Sequence, residues 1–182
     1  MLHRNFQNLA GYNRWMNERI YNVVAELPES IRIQDQKAFF GSIHATLNHI
    51  LWADKIWLSR FLKGGYSFDI LTEDTVAGVE GQAANHRHEI ESNFDRLEKE
   101  RMKVDQDMVR WIGEGFSESD FVKNLEYQNT KGSLHSTPIF SVLTHLFNHQ
   151  THHRGQVTAL LFQNGIDPGV TDLIYYLRLN SN

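Results

Sequence analysis

The chain has 182 residues, enough for one domain with a substantial core, and its 22% charged and 41% apolar residues exclude disorder. A net charge of −4 without any Lys/Arg block excludes the footprint of a nucleic-acid binder, and no apolar run reaches the length of a membrane span. The lack of Cys excludes disulfides, thiolate ligands and a Cys nucleophile, while ten His tilt any metal site toward nitrogen and oxygen donors. Residues 1–5 lack the apolar core of a signal peptide, so a cytoplasmic location is the expectation.

In chain order, the spacing of Phe6, Leu9, Tyr12/Asn13, Met16, Ile20 and Val23/Val24 predicts a helix over 4–26. Leu27-Pro28-Glu29-Ser30 ends it. Ile43, Leu47, Ile50, Asp54, Trp57 and Phe61 predict a second helix over 42–62, with Asp54 the polar exception and Gly64-Gly65 the stop. Leu51, Trp52, Ile56 and Leu58 make this helix apolar on more than one side. Residues 66–75 read as a connection. A long charged helix is expected over 79–112, with Ile90, Phe94, Leu97, Val104, Met108 and Trp111 as its stripe. Arg101 interrupts that stripe. Residues 121–138 carry a turn signal at Asn129-Thr130-Lys131-Gly132 and predict a short β-hairpin or an extended crossover.

A last long helix follows to about residue 164, with Thr137 as its cap and Pro138 in its first turn. Ile139, Val142, Leu146, Val157 and Leu160 fall within roughly ±40° of His153 on the helical wheel, and so does His149. Two imidazoles one turn apart thus stand where leucines belong. Two readings stand at this level. They are core imidazoles hydrogen-bonded to neighbours, or an i, i+4 pair sharing a metal. His145 and His152 lie about 80° and 100° off the stripe and are read as flanking or exposed. A short C-terminal helix is expected over 171–179. Four long helices and one long crossover imply an all-α four-helix bundle, a single domain spanning 1–182.

Three segments resemble one known family. Asn148-His149-Gln150-Thr151-His152-His153-Arg154-Gly155-Gln156 is similar to the NHxxHHRGQ signature of the DinB/YfiT-like metal-binding four-helix bundles. Tyr12-Asn13-Arg14-Trp15-Met16-Asn17 resembles that family's YNxWxN motif, and Leu47-Asn48-His49-Ile50-Leu51-Trp52-Ala53-Asp54 its LxHIxxxE/D segment. The resemblance implies an up-down-down-up bundle, often a homodimer, and a divalent metal, zinc or nickel, held by His49, His149 and His153. His44 is the nearest rival to His49. His49 is preferred because Ile50 and then Asp54 follow it as in the motif. Asp54, Asn148, His152 and Gln156 are the implied residues around the ligands, and Tyr12, Asn13 and Trp15 are candidates either for a pocket or for packing between the first and last helices.

Three neutral imidazoles leave a tetrahedral position open, the arrangement of catalytic zinc. The wider superfamily includes thiol-dependent transferases and isomerases, so the resemblance implies a metal-dependent enzyme, a thiol-dependent S-transferase acting on small electrophiles. With no Cys in the chain, the thiol comes from a small-molecule substrate or a low-molecular-weight thiol cofactor. The alternatives are metal-assisted hydrolysis and a stress-linked metal-binding protein without turnover. A homodimer is also expected from the apolar second helix, with Trp52 as its interface aromatic. No nucleic acid or membrane partner is expected.

Overall fold

The computed structural model describes residues 1–68 and 89–180. The chain is mostly helical with one small antiparallel sheet. Four long helices carry the core: α1 (Leu2–Ala25), α3 (Ile43–Lys63), α4 (Phe94–Glu114) and α5 (Ile139–Gln163). Helix α1 packs on α4 and α5, and α3 packs on the same two. Their facing stripes bury Phe6, Met16, Ile20, Leu47, Leu97, Val142 and Val157, which removes the apolar face of each helix from water. The short α2 (Glu29–Ile33) follows Pro28 and was not foreseen in the sequence, where 27–30 reads only as a stop.

The helix starts are chemically explicit. Ser42 Oγ accepts from the Ala45 amide at 3.1 Å, and Asn93 Oδ1 from the Arg96 amide at 3.0 Å. The cap at Asn93 corrects the third predicted helix. It begins at Phe94, and residues 89–93 lie outside it because Asn48 takes the Glu91 backbone on both sides, by 2.9 and 3.0 Å bonds. Residues 69–88, where the first ten residues of that predicted helix fall, lie outside the described residues, as does most of the expected connection.

The hairpin expectation holds. β1 (Asn124–Gln128) pairs antiparallel with β2 (Leu134–Pro138), in register from Asn124↔Pro138 to Gln128↔Leu134. Asn129 Oδ1 accepts from the amides of Lys131 and Ser133, and Gly132 takes the left-handed φ of 81° that the turn needs. The cap assigned to Thr137 is corrected: Thr137 belongs to β2. Helix α5 instead has its first amides satisfied by backbone, Ile139 N–H donating to Lys123 O and Phe140 N–H to Phe121 O.

The last helix, α6 (Leu173–Leu179), lies against α1. Tyr12 donates its hydroxyl to Thr171 O, and its ring meets Tyr176 edge-on. A side chain at Gly11 would run into the Tyr176 hydroxyl, so that contact requires glycine. Leu51, Trp52, Ile56 and Leu58 are all buried within the one chain. The uncovered face that pointed to Trp52 as an interface aromatic is therefore corrected. Trp52 packs with Ala53, Ile56 and Ile90 instead. Among the described residues no helix is long and apolar enough to cross a membrane.

Candidate metal centre

Helix α5 presents His149 and His153 one turn apart, and α3 presents His49 opposite them. The ligand atoms these three residues offer lie within 4.8 Å of one another. The two Nε2 atoms of His49 and His149 are 3.2 Å apart. Tetrahedral nitrogen ligands at the usual Zn–N distance stand about 3.3 Å apart, so this spacing fits. His153 turns its Nδ1 toward Gln156 Oε1 at 2.9 Å. A donor at Nδ1 leaves Nε2 as a lone pair, the state a ligand needs.

Among the described residues no carboxylate belongs to the cluster. Burial, and then the neighbouring imidazoles of His153 and His49, push His149 down to about 3. Burial also lowers His153, with the Gln156 bond opposing. With His149 and His153 held in the neutral form, the cluster offers ring lone pairs that a divalent cation can accept.

This has a consequence for the metal-free protein. The unfolded chain takes up the His149 proton near 6.5, the folded chain only near 3. Between these values the unfolded state holds more protons, so stability rises with pH and falls on acidification below 6.5. The slope is at most about 1.4 kcal/mol per pH unit for one proton. Thermal melts of chelated protein from pH 7 downward should show the loss, and His149→Ala should flatten it.

The other candidates separate cleanly. Gln156 touches His153 and also His152 Nε2, at 3.2 Å, so it bridges the ligand to the exposed His152. Asn148 is solvent-exposed on α5. His145 is exposed too and meets Trp57 edge-on. His44 is turned to the segment before α4, bonding Glu91 O at 2.9 Å and facing Glu89 Oε1 at 3.0 Å, which removes it as a rival ligand.

Asp54 proves to belong elsewhere. Its Oδ2 accepts from Arg101 Nη1 at 2.6 Å and from Gln150 Nε2. Arg101 Nη2 donates to Asp105 Oδ1 at 2.8 Å, and Asp105 accepts from Asn13 and Asn17. Arg154 donates to Asn13 Oδ1 and to Gln150 Oε1. These seven side chains are buried and tie all four long helices together. Burial pushes the Asp54 carboxyl up to about 6 against the pull of Arg101. Asn13 thus serves the core rather than a pocket, and Tyr12 and Trp15 pack against α6. Sequence reasoning missed the network, although a signal existed. Asn13/Asn17, Arg101/Asp105 and Gln150/Arg154 are polar pairs at i, i+4 on three helices.

Two aromatic rings flank His49. Phe40 stacks on it at 4.0 Å between centroids and 22° between planes, and Trp52 lies 5.6 Å away. Phe40 also meets His153 edge-on at 5.4 Å. Nothing in the periodicity announces Phe40, which lies in the loop between α2 and α3.

Comparison with known proteins agrees with the motifs. The model of the DinB family matches residues 1–181. Protein DinB of Bacillus subtilis (strain 168) is 31% identical over 169 residues, covering 93% of this chain and 91% of that protein.

Proposed function

Because the chain belongs to the DinB family, we propose that His49, His149 and His153 hold one divalent metal ion, zinc or nickel, in a cytoplasmic thiol-dependent S-transferase acting on small electrophiles. The observation that carries this reading is the convergence of three ring nitrogens, from two helices, within 4.8 Å. A bound ion supplies Lewis acidity that favours the thiolate form of a substrate thiol. Gln156 fixes the His153 tautomer and ring plane by accepting its Nδ1–H. Phe40 stacks on the His49 ring and Trp52 packs beside it, which restricts the ring's rotation. In the transfer the thiol gives its proton to solvent, the sulfur bonds to the electrophilic carbon, and the leaving group departs with the electron pair of the bond that breaks.

Thiol-transfer assays test this. Metal-loaded protein is presented with a panel of low-molecular-weight thiols and electrophiles. Turnover that chelation removes and re-addition of metal restores is the expected result. Metal retained with no rate above the protein-free control for any pair would overturn the transferase reading, leaving the hydrolytic and the non-catalytic alternatives.

The family reading extends to the fold and assembly: one domain, an up-down-down-up bundle and a homodimer. Light scattering at micromolar concentration should give a dimer mass. Trp52→Ala should leave that mass unchanged, because the ring is buried within its own chain.

A further inference from the structure

We infer that Phe40, with Phe39 beyond it, is a specificity-determining aromatic wall that selects metal-binding small molecules whose donor atom carries an aromatic body. The inference rests on the three-His cluster being a metal site. Three observations carry it. First, the Phe40 ring is in contact with two of the three imidazoles, stacked on His49 and edge-on to His153. A ligand reaching an ion between those rings meets Phe40.

Second, the aromatic surface continues outward. Phe39 stands edge-on to Phe40, centroids 4.8 Å apart, and is 58% exposed. One large apolar side chain in water needs no explanation, but an exposed phenyl ring continuous with Phe40 carries aromatic surface from solvent to the edge of the donor cluster.

Third, the loop holding the pair is pinned. Gln36 N–H donates to Gly41 O at 2.7 Å, and Gly41 N–H to Ala38 O at 2.9 Å. Lys37 and Gly41 take the left-handed φ values of 59° and 87°. Asn164, which ends α5, donates to Gln36 Oε1 at 2.7 Å and accepts from Gln34 Nε2 at 3.1 Å. The loop is therefore fastened at one end to the helix bearing His149 and His153 and runs at the other into the helix bearing His49. Rings held in place lose little freedom on binding, so their contact converts efficiently into affinity. Edge-to-face and stacked aromatic contacts then favour a ligand with its own ring over one without.

The test uses the full chain loaded with Co²⁺, whose visible band reports metal occupancy and thiolate coordination separately from any turnover. It is titrated with benzyl mercaptan and with 2-mercaptoethanol. The wild type should bind the aromatic thiol about tenfold more tightly. Phe40→Ala should bring the two affinities to within about twofold. Phe39→Ala should lower the ratio less, and Phe40→Leu, which keeps apolar volume over His49, should lower it in the same direction. If Phe40→Ala holds no cobalt, these two variants carry the comparison. Equal affinities in the wild type, or an unchanged ratio in cobalt-loaded Phe40 variants, would overturn the inference while leaving the metal site standing. A wild type that takes up no cobalt would overturn the metal reading itself.

Discussion

Alanine at His49, His149 or His153 should strip the protein of bound metal, from about one divalent ion per wild-type chain toward none. Each ligand is one of three, and two imidazoles do not hold an ion against competing buffer and protein sites. Elemental analysis of protein purified without chelator reads this directly. His44→Ala and His145→Ala are the matched controls and should keep full occupancy. The His44 ring faces the Glu91 backbone, and His145, although its ring lies 6.0 Å from that of His149, is not one of the three residues whose nitrogens converge. Wild-type occupancy in any of the three variants would remove that residue from the set. Chelation of the wild type should lower the melting temperature, since an ion present at 100 times its dissociation constant stabilises by about 2.7 kcal/mol. That is a shift of roughly 5–10 °C at this chain length. The helical circular dichroism should survive, because the core stripes of α1, α3, α4 and α5 bury their apolar side chains without the ion. Loss of the helical signal on chelation would make the metal structural.

The largest stability effect is expected at the buried Arg101. Arg101 is fully buried and is paired with both Asp54 and Asp105, one through each terminal nitrogen of its guanidinium. Arg101→Ala leaves two carboxylates uncompensated in the core. Breaking a buried pair in this way costs about 3–5 kcal/mol. At roughly 2–4 °C per kcal/mol for a chain of this size, the melting temperature should fall by about 6–20 °C. Arg101→Lys should recover only part of the loss, because a point charge cannot reach both carboxylates as a planar fork does. Asp54→Ala combined with Arg101→Ala should cost clearly less than the sum of the two single changes, since the double variant removes one of the stranded charges with its partner. Strict additivity in that cycle would show that the two groups do not interact. Metal content of Arg101→Lys is a useful second reading. Gln150 and Arg154 alternate with His149 and His153 along the same two turns of α5, so a network that slackens should loosen the rotation of the ligand-bearing helix as well.

Much of this protein was legible in one dimension. The 3.6-residue recurrence of apolar side chains located α1, α3 and α5 to within two residues at either end, because an amphipathic helix must repeat its buried face at that period. The Asn129–Gly132 signal marked the hairpin turn, since those residues answer purely local needs. The i, i+4 pair of His149 and His153 was equally visible, and its position on the apolar stripe put it inside. What the stripe left open was whether the two rings were bonded core residues or members of a donor set. That depended on His49, one hundred residues away, and the motif resemblance named it before the geometry brought it within 3.2 Å of its partner.

Other features were decided only by tertiary packing. Asp54 and Arg101 each appeared as a polar break in an apolar stripe. Neither break shows its partner, because the helices that carry them meet only when the chain is folded. Trp52 looked like an uncovered face for the same reason: a helical wheel shows which side a residue occupies, not what lies against that side. Here Ile90, from the segment before α4, packs beside it. The start of α4 at Phe94 was set by Asn48 and His44 reaching across to the Glu91 backbone, a competition between distant partners that local propensity does not contain. Phe40 is the clearest case. A lone aromatic in a loop carries no period, and only the hydrogen bonds tying that loop to the end of α5 lay its ring on the imidazole of His49.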